Sequence, residues 1–164
     1  MLGVEPTVWR RFDPFANVKL SQLHSFIQSA MGGKLCHLFS YKGDHDYRIS
    51  SELRLCDVCH AGDALIYTYD FGDDWPRRVT IENTVVKPTG AYPRVVAGKY
   101  ACPPEDCGGP WGYEDMLRVL PADDELVEWL GGPFDPRVFD LDEARERLAE
   151  YVEVSMPKPQ PVAG

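Results

Sequence analysis

Two stretches concentrate the side chains that could do chemistry. Tyr67-Thr68-Tyr69-Asp70-Phe71-Gly72-Asp73-Asp74-Trp75 puts three carboxylates on one corner, and Cys102-Pro103-Pro104-Glu105-Asp106-Cys107-Gly108-Gly109-Pro110-Trp111-Gly112-Tyr113 sets two more on a proline-stiffened turn. Carboxylate oxygens are the ligands of hard divalent cations such as Mg²⁺ and Ca²⁺, and a bound metal can activate water. If the two stretches fold side by side, Asp70, Asp73, Glu105 and Asp106 make such an oxygen set, and a divalent cation is the one cofactor these acids suggest. Turn acids also have a plainer use, bonding nearby amides and capping helices.

Aromatic and cationic side chains share the same two stretches. Tyr69, Phe71, Trp75, Arg77, Trp111 and Tyr113 suit recognition of a peptide or a cationic group, because aromatic faces attract cations and anchor interfaces. The chain holds no Ser-His-Asp order, no Gly-rich phosphate loop and no His-Glu-x-x-His helix. The reading these residues favour is therefore a non-catalytic binding or interaction domain. Its surface runs over Tyr69 to Trp75 and Cys102 to Trp111, and its partner is a protein or a small molecule. The alternative is a metal-dependent hydrolase or nuclease-like enzyme built on the clustered carboxylates.

The remaining candidates are weaker. Cys56-Asp57-Val58-Cys59-His60 has the spacing of covalent haem attachment, which belongs to exported proteins. Four thiolates from Cys56, Cys59, Cys102 and Cys107 would suit structural zinc, but four residues separate the second pair, two of them prolines and two acids. His24 and His37 sit beside apolar positions and read as core or boundary residues.

Composition narrows the classes. A chain of 164 residues with 44% hydrophobic content can build one core, so a single domain is expected. A net charge of -9 disfavours nucleic acid, whose phosphates demand clustered Lys and Arg; Arg10 with Arg11 and Arg77 with Arg78 are the local exceptions. No apolar run approaches the roughly 20 residues that cross a bilayer, and no basic-then-apolar leader opens the chain, so a cytoplasmic protein without membrane contact is expected. Five cysteines, an odd number, argue against a disulfide framework.

Elements must position the two stretches. Period-two alternation of Leu65, Tyr67 and Tyr69, and of Trp75, Arg77, Val79 and Ile81, predicts a hairpin around Gly72, its second strand reaching as far as Val86. Thr7 to Phe12 reads as a strand, with Leu38 to Tyr41 and Tyr47 to Ile49 as further strands. Leu20, Leu23, Ile27, Ala30 and Met31 share a helical face that Gly32-Gly33 ends. Residues 88 to 112, rich in Pro and Gly, read as a long loop. Helices are expected over Tyr113 to Leu120, over Asp123 to Leu130, and after the cap Asp140, where Glu143 can pair with Arg147. Residues 1–153 form the expected domain and 154–164 a Pro-rich disordered tail.

With those two stretches in view, the chain resembles the plasmid pRiA4b ORF-3-like family. The Tyr-Asp-Phe-Gly-Asp-x-Trp run at Tyr69 to Trp75 and the Cys-Pro-Pro-Glu-Asp loop with Gly108-Gly109 carry the likeness. Trp9-Arg10-Arg11, His37, Tyr92-Pro93, Trp129-Leu130-Gly131-Gly132 and Phe134-Asp135-Pro136 extend it over about residues 4 to 150. The resemblance implies an α+β single-domain roll, a mostly antiparallel sheet packed by an N-terminal helix and C-terminal helices. It also implies association with plasmids and mobile elements, where some members carry a resolvase label; the recombinase serine motif is absent here. The family often has His where this chain has Arg77 and Cys where it has Val95, while Cys59 and His60 lie outside its pattern. Its first strand is longer, which implies a shortened strand here and an edge open to pairing between chains.

Overall fold

The computed structural model describes residues 1–15, 17–43, 46–83, 92–120 and 123–155. Chain order gives β1 (Trp9–Asp13), α1 (Leu20–Met31), β2 (Phe39–Lys42), β3 (Arg48–Ile49), α2 (Leu55–Val58), β4 (Ala64–Tyr69) and β5 (Trp75–Thr80). Then come β6 (Arg94–Lys99), α3 (Gly109–Val119), α4 (Asp124–Trp129) and α5 (Leu141–Ser155). The hairpin patterning produces an antiparallel sheet in the order β3-β2-β4-β5, with Tyr69 opposite Trp75 and Tyr67 opposite Arg77. A second antiparallel pair, β1 with β6, completes an α+β fold.

Alternation decides what is buried. Tyr41, Tyr67 and Tyr69 project from one face of the larger sheet and meet Leu20, Leu23, Phe26 and Ala30 of α1 in the core. Ala144 and Leu148 of α5 close the same core from the other side, and Arg147 pins α5 to α1 by donating to the Ser29 carbonyl at 3.1 Å. Gly32 takes φ +87° to end α1, as its sequence position predicts, and Asp140 caps α5 by accepting from the amides of Asp142 and Glu143.

Several boundaries differ from the sequence reading, and α3 begins at Gly109, inside the expected loop, instead of at Tyr113. The expected loop over residues 88 to 112 contains β6, whose Val95 is buried opposite Phe12. Its run of Val95, Val96, Ala97 and Gly98 is too short and too small to show clear alternation. Gly98 is needed there, because a Cβ would stand 2.6 Å from the Phe139 ring and 2.7 Å from Arg10. β5 stops at Thr80, and the expected extension to Val86 falls partly on residues 84–91, outside the described residues. α5 runs through Val154 and Ser155, and the rest of the expected tail, 156–164, also lies outside them. Among the described residues no helix is long and apolar enough to cross a membrane.

The core contains one titration that should be measurable. His24 stacks on Phe39 with ring centroids 3.8 Å apart, and its Nδ1 lies 2.6 Å from the Tyr67 hydroxyl, which also accepts from Gln28 at 2.7 Å. That hydroxyl donates to a neutral imidazole. Burial, and secondarily the Arg77 guanidinium, lowers the His24 pKa from 6.5 to about 4. The unfolded chain therefore takes up this proton near pH 6.5 and the folded chain only near pH 4. The corresponding stability is complete above pH 6.5 and is lost as pH falls toward 4, by about 3 kcal/mol in all. Urea unfolding at pH 7.5 and pH 4.5 should show the loss, and His24→Asn should remove most of that pH dependence.

Candidate functional site

Three loops meet at one end of the larger sheet, and each turns because of a particular residue. Asp70 has φ +56° and Asp74 φ +51°, left-handed conformations that aspartate tolerates. The Asp74 amide donates to the Asp70 carbonyl at 2.7 Å, and Asp70 Oδ1 accepts from the Gly72 amide at 2.9 Å. In the Cys102–Gly108 loop Asp106 is left-handed at φ +59°, and Gly108 at φ +86° precedes α3, with Pro110 in its first turn. The third loop leaves α1 at Gly32 and runs through Lys34, Leu35, Cys36 and His37 to β2.

Hydrogen bonds lock these loops together. Asp73 Oδ2 accepts from the Gly108 amide at 3.0 Å, and Gly109 lies so close that a Cβ there would sit 2.2 Å from the Asp73 carbonyl oxygen. The Asp70 amide donates to the Leu38 carbonyl at 2.9 Å. Glu105 Oε1 accepts from the Lys34 amide at 2.7 Å and lies 3.3 Å from the Tyr69 hydroxyl, which donates to the Lys34 carbonyl. Burial and the nearby Cys36 and Glu105 raise the Tyr69 pKa, so its hydroxyl stays protonated.

These locks use one oxygen of Asp70 and one of Glu105. The others face His37, whose Nε2 lies 3.7 Å from Asp70 Oδ2, 3.9 Å from Glu105 Oε2 and 3.5 Å from Asp106 Oδ1. Nε2 is shut off from solvent and makes no hydrogen bond. His37, Asp70 and Asp106 offer ligand atoms all within 4.8 Å of one another, and so do Cys36, His37 and Glu105. Asp106 and Cys36 are the exposed members, so the cluster meets solvent on their sides.

The carboxylates singled out from the sequence part company here. Asp70, Glu105 and Asp106 converge, whereas Asp73 turns its Oδ2 to the Gly108 amide and serves as the clasp. His37 joins them, a residue read from the sequence as a core or boundary position. Its one sequence signal is its place in the family pattern, because Cys36 and His37 belong to no metal-binding spacing. Cys56, Cys59, Cys102 and Cys107 join none of the ligand groups found among the described residues, and none of the five cysteines forms a disulfide. Burial raises the Cys107 pKa to about 12, with the Asp73 carboxylate adding to it.

The aromatic and cationic candidates also divide. Phe71 and Trp111 are exposed. Tyr69, Trp75, Arg77 and Tyr113 are buried and support the loops from beneath, with Trp75 and Tyr113 meeting edge to face at 6.5 Å. Arg77 lies 5.6 Å from the Tyr67 ring centroid and 5.5 Å from that of Tyr69. It is therefore no part of a basic patch with Arg78, and Arg10 turns inward to the Ala30 and Lys99 carbonyls.

Tyr69→Phe should leave the core filled while freeing the Lys34 turn, whose carbonyl takes the hydroxyl's one proton and whose amide holds Glu105. The same turn leads to His37, so loosening it should weaken a metal bound at the cluster by about 10- to 100-fold, the range for groups that orient ligands. A titration calorimeter would register it; unchanged affinity would show that the Tyr69 hydroxyl does not position the loop that carries His37.

The fold and site together define a small α+β protein whose imidazole and carboxylates are gathered by three loops at one end of an antiparallel sheet. The chain belongs to the plasmid pRiA4b ORF-3-like protein family, which it matches over residues 1–143. It is 34% identical to the uncharacterized protein y4hQ of Sinorhizobium fredii (strain NBRC 101917 / NGR234), over 78% of this chain and 76% of that one. Its fold is similar to the crystal structure of the protein of unknown function MM3350 from Methanosarcina mazei Go1. That match has a TM-score of 0.78 at 33% identity and covers 87% of this chain and 91% of the other.

Proposed function

We propose that the protein is a metal-dependent hydrolase whose divalent ion is bound by His37, Asp70 and Asp106, with Glu105 beside it as general base. The observation that carries this reading is His37 Nε2, sealed from solvent, without a hydrogen bond, and facing three carboxylates at 3.5 to 3.9 Å. Ligands around a tetrahedral zinc ion, at about 2.0–2.2 Å from it, stand about 3.3 Å from each other; His37, Asp70 and Asp106 offer ligand atoms within 4.8 Å of one another, so side-chain adjustment would draw them into a coordination shell. Three carboxylates near one point also repel each other, and a dication offsets that repulsion.

The donor set differs from the all-oxygen set expected from sequence. An imidazole among carboxylates, with the Cys36 thiol at its edge, suits zinc or another transition metal better than Mg²⁺ or Ca²⁺. Such an ion lowers the pKa of bound water toward 7, and a fixed carboxylate beside it can take the released proton. Glu105 has the fixed geometry for that task, since the Lys34 amide grips its other oxygen.

The test is titration of the metal-free protein with Zn²⁺, and with Co²⁺ followed by visible absorption. One equivalent bound, with nitrogen and oxygen ligation visible in the cobalt spectrum, is the expected outcome. Absence of stoichiometric binding by either ion would sink the proposal. A non-catalytic binding module is the second reading, favoured by the exposure of Phe71, directly after Asp70 in the chain, and of Trp111 in the first turn of α3; it would survive that negative result.

A further inference from the structure

His37 belongs to two groups of ligand atoms, and the hydrolytic ion proposed above uses one of them. The other is Cys36, His37 and Glu105, whose sulfur, ring nitrogen and carboxylate oxygen all lie within 4.8 Å of one another. Neighbours in an extended strand point to opposite faces, but here the chain bends at Leu35 and again at His37, and both side chains reach the same place. Glu105 is already tethered to that loop. Its Oε1 accepts from the Lys34 amide at 2.7 Å, which leaves Oε2 at 3.9 Å from His37 Nε2. Cys36 is exposed and forms no disulfide, and its Sγ lies 3.7 Å from the Tyr69 hydroxyl, so the sulfur is open to an ion arriving from solvent.

We propose that this second group is a metal site of its own, selective for a soft, thiophilic cation of the Cd²⁺ or Cu⁺ kind. A thiolate beside an imidazole favours soft ions, whereas the imidazole with Asp70 and Asp106 offers nitrogen and oxygen alone. Zinc accepts both kinds of donor set, so a softer ion is the probe that separates them. The two positions exclude one another. Asp70, Glu105 and Asp106 all face the same nitrogen, Nε2, which is shut off from solvent and makes no hydrogen bond. Its single lone pair holds one ion at a time. A soft ion would also take Glu105 as a ligand, leaving the hydrolytic ion without its nitrogen and the bound water without its base. That inhibitory consequence rests on the metal-dependent reading given above; the site itself does not.

The experiment uses the full chain, reduced and metal-free, titrated with Cd²⁺ while the thiolate-to-cadmium absorption in the ultraviolet is followed. One equivalent should bind and give that band. Cys36→Ser should abolish the band, weaken cadmium by more than the roughly 100-fold that loss of an orienting neighbour reaches, and leave Co²⁺ affinity as it was. Asp106→Asn should do the reverse, weakening Co²⁺ and sparing Cd²⁺. Cys56→Ser, which removes the other exposed thiol, should change neither. Cadmium added to the cobalt-loaded protein should erase the visible spectrum one for one as the ultraviolet band grows. A parent protein without the band, a band that survives Cys36→Ser, or cadmium bound as tightly by His37→Ala as by the parent overturns the second site. Cobalt and cadmium held together overturn the shared nitrogen. Cobalt binding with no cadmium band overturns this site and leaves the metal-dependent reading standing. A cadmium band lost in Cys36→Ser, with no binding of cobalt or zinc, overturns that reading and supports this one.

Discussion

His37→Ala is expected to abolish the proposed zinc binding and to leave the fold in place. Its ring touches Tyr69 edge to face at 5.6 Å and lies beside three acids, but no hydrogen bond to Nε2 is lost with it. Removing the one nitrogen donor should therefore weaken binding by more than the roughly 100-fold that the loss of an orienting neighbour reaches. Asp106→Asn is the companion variant, because Asp106 is exposed and the acid least tied into the loops. It should weaken zinc while leaving the metal-free melting temperature unchanged or slightly higher, since a like charge has been removed. Calorimetry and thermal melts with and without zinc distinguish these outcomes. A His37→Ala protein that still binds zinc as the parent does would show that the cluster is an ion-paired imidazole and nothing more.

Gly109→Ala is expected to be among the most damaging single substitutions in the chain. Its φ is +71°, a region that disfavours any Cβ, and the added carbon would stand 2.2 Å from the Asp73 carbonyl oxygen, a backbone atom that no rotamer change can move aside. Left-handed strain and overpacking together imply a loss of about 3 kcal/mol or more. The clasp would have to open, parting the Gly108 amide from Asp73, so Glu105 and Asp106 would shift relative to His37. Chemical denaturation reads the first effect and zinc titration the second. Gly131→Ala is the control: its φ is +77° but a Cβ there meets nothing within 4 Å, so only the backbone strain should appear.

How much of this was legible in the residues varies with the range of the interaction. The central hairpin and α1 followed from local periodicity and from glycine at the helix end, because one buried face imposes one spacing. β6 was not legible, since its burial depends on β1 more than eighty residues earlier and its small side chains carry little alternation of their own. The two acidic stretches were visible as stretches, and their juxtaposition was an expectation from composition. What the sequence could not allocate was which oxygen of which acid faces inward. Asp73 and Asp70 stand three residues apart in one turn, yet Asp73 faces an amide while Asp70 offers an oxygen to His37, and only the tertiary arrangement assigns those roles. Alternation grouped Tyr69, Trp75 and Arg77 on the face that is buried, but it had nothing to say of Phe71, Trp111 and Tyr113, which lie off the strands.

The hydrogen bonds that close the loops join residues far apart in the chain: Lys34 to Glu105 across 71 positions and Asp73 to Gly108 across 35. No contiguous peptide contains the site, and an excised loop would have to meet the whole ordering entropy that the folded protein has already absorbed. Whatever binds there therefore recognises a completed fold and ignores a nascent or unravelled chain. A ligand bound there in excess would stabilise the assembled fold by a free energy that grows with the logarithm of its concentration.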